Sequence, residues 1–199
     1  MIRGGIAAAY GTSQTFQLRL GYYLENPKLT PIRQEIALPP DTAYQRVIIQ
    51  SLEPKPNNVR RDSDGNWLAN YELIGGQKQR IDAKLLISIS LVPKEGWHDT
   101  IDPASYTKPL QYWESDNPAI AELAKRYNTP QAIYHHVVNT LSYNYDRVNQ
   151  NPVRRGAVGA LLTPKQAICM EFTDLFIAMA RAAGIPAREV VGFAYTTNA

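Results

Sequence analysis

Up to about Val92 the apolar residues recur every second position, and beyond Asn117 they recur every third or fourth. The first period is that of a half-buried strand and the second that of an amphipathic helix. Thr15 to Tyr22 alternates apolar and polar until Glu25-Asn26-Pro27 breaks it. Further strands are predicted over Arg33–Leu38, Tyr44–Leu52, Trp67–Leu73 and Gln79–Leu91, punctuated by Pro39-Pro40, Pro54, Pro56 and Gly75-Gly76. Asp62-Ser63-Asp64-Gly65-Asn66 is a turn signal between two of them. Short strands at this spacing predict an antiparallel β-sandwich over 13–92.

Pro93 to Pro118 mixes prolines, acids and aromatics and reads as a connector lying along a surface. Asn117-Pro118 opens a helix through Tyr127, with Asn as the cap and Pro in the first turn. Thr129-Pro130 opens another, through about Leu141, with Ile133, Val137 and Leu141 on one stripe. The fold class expected is therefore α+β, an N-terminal β-sandwich followed by a helical part.

The strongest pattern lies between Thr163 and Tyr195. Phe172, Leu175, Phe176, Met179, Ala180 and Ala183 share one helical face, Gly184 stands at a C-cap position, and Pro186 stops the helix. Arg188 to Tyr195 is β-branched and aromatic and reads as a strand. Cys169 opens the helix. A cysteine at a helix N-terminus meets partial positive charge and unpaired N–H groups, an environment that favours thiolate. A lone cysteine is also a common small core residue, so spacing alone leaves both readings open.

Composition narrows the field without deciding it. Apolar content of 44% and charged content of 20% describe a globular chain, long enough at 199 residues for one large or two small domains. The net charge of +3 comes from scattered Lys and Arg, so nothing favours nucleic acid. One cysteine excludes an internal disulfide framework, no run approaches a membrane span, and the opening MIRGGIAAAYG is short for a secretory signal.

Four polar groupings have simple readings. Asp62, Asp64 and Asn66 alternate like the start of a calcium loop, but position twelve is Leu73 and flanking helices are absent, so a hairpin turn is expected. His98 beside Asp99 reads as a solvated loop pair. His135 and His136 point about 100° apart on a helix and cannot easily share an ion. Arg154-Arg155-Gly156 reads as a solvated basic turn. No metal or cofactor is expected.

The run Ala167-Ile168-Cys169-Met170-Glu171-Phe172, then Leu175-Phe176, Arg181 to Arg188 and Gly192-Phe193, resembles the transglutaminase-like superfamily. Ala167 stands where that family usually has glycine, a departure by one methyl. The segment from Tyr44-Gln45 through Pro54-x-Pro56 to Asp64-Gly65-Asn66 is similar to the β-rich domain that precedes the cysteine domain in some bacterial and archaeal members. The resemblance implies a papain-like cysteine domain over 119–199, after a connector at 93–118. It implies a protein or peptide substrate and attack of a Cys169 thiolate on an amide carbonyl through a thioester. Water would complete hydrolysis or deamidation, and an amine would complete transamidation. It also implies a His and then an Asp on later strands. No His follows Cys169, and the one later Asp is Asp174 on the same helix. Residues 1–199 are thus expected to be an incomplete domain, inactive alone and able to self-associate through an unpaired Arg188–Tyr195 strand. A non-catalytic binding or scaffold module that retains the fold is the alternative. The preceding β domain suggests the cell envelope or secretion.

Overall fold

A computed structural model of the protein describes residues 11–97, 102–148 and 150–193. The chain divides into two compact units, Met1–Ile101 and Asp102–Ala199.

In the first unit, β1 (Ser13–Glu25), β6 (Lys78–Ser90) and β3 (Gln45–Glu53) form one antiparallel sheet in the order β1-β6-β3. A second antiparallel sheet has the order β2-β5-β4, from Ile32–Leu38, Trp67–Leu73 and Asn58–Arg61. The register places Leu18 opposite Leu85 and Tyr22 opposite Ile81, so the apolar half of each alternating strand faces the same way. Ile36, Leu38, Leu52, Ala69, Tyr71, Ile81 and Ala83, drawn from both sheets, form one buried cluster. Strand β4 has no apolar alternation (Asn-Val-Arg-Arg), and pairing with β5 is what makes it a strand.

Turn chemistry accounts for the breaks. Asp62 Oδ1 accepts from the amides of Asp64 (2.9 Å) and Asn66 (2.8 Å), and its Oδ2 accepts from the Asn66 side chain. Burial raises the Asp62 pKa, but these hydrogen bonds outweigh it and hold the carboxyl below its ordinary value. Its oxygens are committed to the turn, as a hairpin requires. Asn26, fully buried, donates to the carbonyls of Thr30, Leu73 and Ile74 and accepts from Lys28 N–H, closing the end of β1 onto the end of β5.

The helical unit is built around one helix. Asn117 caps α1 (Pro118–Arg126) through Ala119 N–H, and Thr129 caps α2 (Pro130–Thr140) through Ala132 N–H. A single turn, α3 (Tyr145–Val148), and a short helix, α4 (Gly156–Leu162), precede α5 (Cys169–Ala182). Helices α1, α2 and α4 all pack on α5, and Ile120, Ile133, Val137, Leu175, Ala178 and Met179 are buried together. At its end Gly184, with φ of 76°, donates to Arg181 O while Ile185 donates to Ala180 O. This is a Schellman closure that satisfies the last carbonyls.

Three expectations need correction or fall outside the description. Residues 188–193 form no strand: among the described residues of this unit no strand offers them a ladder, and Val190, Val191 and Phe193 stand exposed. The stretch after Arg155 contains α4, whose N-terminus is capped from 43 positions away, where Glu114 accepts from Ala157 N–H. Gly156 allows this approach, since its φ is 75° and a Cβ there would lie 2.7 Å from the Glu114 carboxylate. His98 and Asp99 lie outside the described residues.

Two predictions follow from the packing. Leu175 is fully buried at the centre of the helical core, so Leu175→Ala should cost about 2–5 kcal/mol in urea unfolding. His136 stacks on Tyr127 with ring centroids 4.3 Å apart, and its Nε2 is buried without a partner. Burial and the nearby Arg126 charge push its pKa down from 6.5. The unfolded chain therefore binds the His136 proton more readily than the folded one. Stability should be fully present above about pH 6.5 and fall as pH drops through the window between that value and the lowered one. Thermal melts at pH 7.5 and 5.5 should show the decrease, and His136→Gln should remove that part of it.

Candidate active site

Cys169 is the first residue of α5 and is exposed to solvent. The chain arrives there in extended form, with Ile168 at φ −125° and ψ −173°, and turns into the helix at the cysteine itself. Ile168 has no polar side chain to cap the first turn. Glu171 serves in reverse, its Oε2 accepting the Ile168 N–H at 2.9 Å. The approach is laid against an earlier segment: Ser142 N–H donates to Pro164 O, Asn144 N–H donates to Ala167 O, and Tyr143 bridges Ala167 in parallel. Ala167 is extended and fully buried in the helical core, so the methyl that replaces the family's glycine packs inward, away from solvent.

Two carboxylates on the buried side of α5 carry the electrostatics. Glu171 is paired with Arg147 through both oxygens at 3.2 and 3.3 Å, with side-chain exposures of 1% and 8%. Arg147 also donates to the carbonyls of Gln166 and Val153. Asp174 is fully buried and accepts from Arg154 through both oxygens and from the Trp113 indole at 2.9 Å. Burial pushes the Asp174 carboxyl above its ordinary value, while the Arg154 and Trp113 hydrogen bonds oppose that push. Arg154 also donates to Glu189 at 2.9 Å and lies over the rings of Tyr112 and Trp113, and its pKa is raised chiefly by the bond to Asp174. The basic-turn reading therefore holds for exposed Arg155 and fails for Arg154, because Asp174 must be neutralised where it is buried. Arg181, on the last turn of α5, is buried, lies over the Trp113 ring and donates to Ala187 O and Lys108 O.

Cys169, Phe172, Thr173 and Phe176 fall at i, i+3, i+4 and i+7, hence on one stripe of α5. Thr173 Oγ1 donates back to Cys169 O at 3.0 Å. From Phe172 onward the stripe floors a groove shared with Tyr134 and Val138 of α2 and with Val190. His135 sets its ring edgewise to Tyr134, and His136 is engaged with Tyr127 and Thr140. Among the described residues there is no group of three or more His, Cys, Asp or Glu side chains placed to hold a metal ion. No described helix is long and apolar enough to cross a membrane.

The family model of the transglutaminase-like superfamily matches residues 117–199, within the helical unit. Over 138 residues the chain is 27% identical to a protein-glutamine gamma-glutamyltransferase of Pseudomonas aeruginosa. That match takes in 66% of this chain but 20% of the relative, so the chain spans about a fifth of its length. The solved structure of a candidate cysteine protease from Cytophaga hutchinsonii superposes with a TM-score of 0.60 at 16% identity, covering 87% of this chain and 67% of that one. The likeness is one of fold, mixed α and β with a papain-like cysteine domain.

Arg154→Met would leave Asp174 buried beside an apolar neighbour. Chemical denaturation should show a loss of about 3 kcal/mol, the lower part of the range for breaking a buried pair because Arg154 is partly exposed. Adding Asp174→Asn, which still accepts from the Trp113 indole, should recover most of it.

Proposed function

We propose that Cys169 is the nucleophile of a cysteine enzyme acting on amide bonds of a protein or peptide. The observation that carries this is the exposed cysteine at the first position of α5, within the segment that matches the transglutaminase-like superfamily. The thiolate attacks the amide carbonyl, and the oxygen becomes negative as the tetrahedral intermediate forms. First-turn amides have no carbonyl within the helix to receive them, so those of Cys169 and Met170 are available as donors to that oxygen. Collapse expels the amine, which must take up a proton, and leaves a thioester on Cys169. Water then releases an acid, completing hydrolysis or deamidation, while a primary amine releases a new amide, completing transamidation. The name of the Pseudomonas relative supports the second course, and the description of the Cytophaga protein as a cysteine protease supports the first.

The proton moves through a base that the family supplies as His, oriented by Asp. Within residues 1–199 no His follows Cys169 in the sequence. A general acid–base partner contributes about 10²–10⁴-fold in rate.

Iodoacetamide should label Cys169 in the folded protein near neutral pH. Amine incorporation into a glutamine peptide and peptide cleavage should both be measured, on residues 1–199 and on the continuous reading frame. A chain that also carries that His and Asp should exceed residues 1–199 by about 10²–10⁴-fold, and Cys169→Ala should reduce it to background. Labelling only after denaturation, or activity that survives Cys169→Ala, would remove Cys169 from the reaction.

A further inference from the structure

A single buried ion pair ties down the chain on both sides of Cys169. Glu171, two residues after the cysteine, holds the N–H of Ile168, the residue before it, at 2.9 Å. Arg147 grips both oxygens of that carboxylate and also takes the carbonyls of Gln166 and Val153. Positions 166 and 171 thus bond to one guanidinium supplied by α3, and position 168 is joined to it through Glu171. The corner at Cys169, where extended chain becomes helix, lacks a polar N-cap side chain. An uncapped first turn frays, and an exposed thiol with little packing of its own moves with it. Both partners are almost wholly buried, where an ion pair is a poor source of net stability compared with apolar side chains. Its distinctive contribution is geometric.

We propose that Glu171, held by Arg147, is a positioning residue that fixes the Cys169 thiol and the first-turn amides in the orientation required for attack. The proposal rests on the reading of Cys169 as the nucleophile. Neither residue touches substrate. Arg147 orients Glu171, Glu171 restrains Ile168, and Ile168 sets the direction in which the chain enters α5.

Breaking one partner alone would strand a buried charge and risk unfolding, so two double variants are compared. Arg147→Met with Glu171→Leu removes the pair and the bond to Ile168. Arg147→Met with Glu171→Gln removes the charges but keeps an oxygen for the Ile168 N–H. Each is first shown to be folded by circular dichroism and thermal melting. The rate of Cys169 alkylation by iodoacetamide is then followed from pH 5 to 10, together with amine incorporation and peptide cleavage by the continuous reading frame. The Leu variant should be alkylated about tenfold differently from the parent at neutral pH, with a displaced midpoint. The Gln variant should return to within about threefold, since misplacement by an ångström is enough to change rates by up to 10². Alkylation profiles that superimpose on the parent, while melting temperatures fall, would overturn the positioning role and leave the pair merely structural. Separated profiles in a protein without amide activity would sink the enzymatic reading and uphold the positioning of the thiol. Superimposed profiles in an active enzyme would do the reverse.

Discussion

Helix α5 buries two carboxylates, and neither can stay there alone. An unpaired charge on that side costs several kcal/mol, so Glu171 and Asp174 each need a guanidinium delivered to a fixed point. Arg147 and Arg154 meet this requirement, and both lie in the segment between α2 and α5, Arg147 on the single turn α3. That segment must therefore wrap the N-terminal half of α5 closely, which places α3, the start of α4 and the approach to Cys169 in one layer. Polar satisfaction, more than apolar packing, organises this part of the unit.

The same constraint explains why so many carbonyls there are met by side chains. Arg147 takes two of them, Arg181 takes two more, and the Trp113 indole shares the Asp174 oxygen with Arg154. The guanidinium groups of Arg154 and Arg181 both lie over the Trp113 ring, at centroid distances of 5.8 and 4.5 Å. An aromatic ring near two cations, with its N–H turned to a carboxylate, makes three favourable contacts. Residues just before α1 are thereby fastened to the cysteine helix. Arg154 extends the network to Glu189, so one wall of the groove beside α5 is held by the same charges.

The β unit is built on different terms. Its polar side chains mostly close turns, as Asn26 and Asp62 do, and its core is an ordinary apolar layer shared by two sheets. Alternation with a period of two needs no distant partner to be intelligible, because each strand carries its own apolar half. The cysteine helix, by contrast, has apolar residues on one side and charges buried on another.

What the sequence determined by itself is whatever depends on near neighbours. The alternating runs of β1, β2, β3, β5 and β6, the caps Asn117 and Thr129, the C-terminal closure at Gly184 and the place of Cys169 at a helix start all rest on residues within a turn or a strand of one another. The resemblance carried by the residues from Ala167 to Phe193 likewise lies in one continuous stretch, inside the residues that the family model matches. Tertiary structure alone decided the rest. Strand β4 exists because β5 lies beside it, and α4 begins where Glu114 reaches Gly156 from far away. Arg154 reads as a surface residue until Asp174 is seen to be buried opposite it, and nothing local to Arg147 announces a partner 24 residues later. Residues 188–193 show the converse, since β-branched and aromatic side chains make a strand only where a neighbour completes the ladder. Pairings between charges, and between strands, are properties of two distant segments brought together, and a periodicity read along one segment does not contain them.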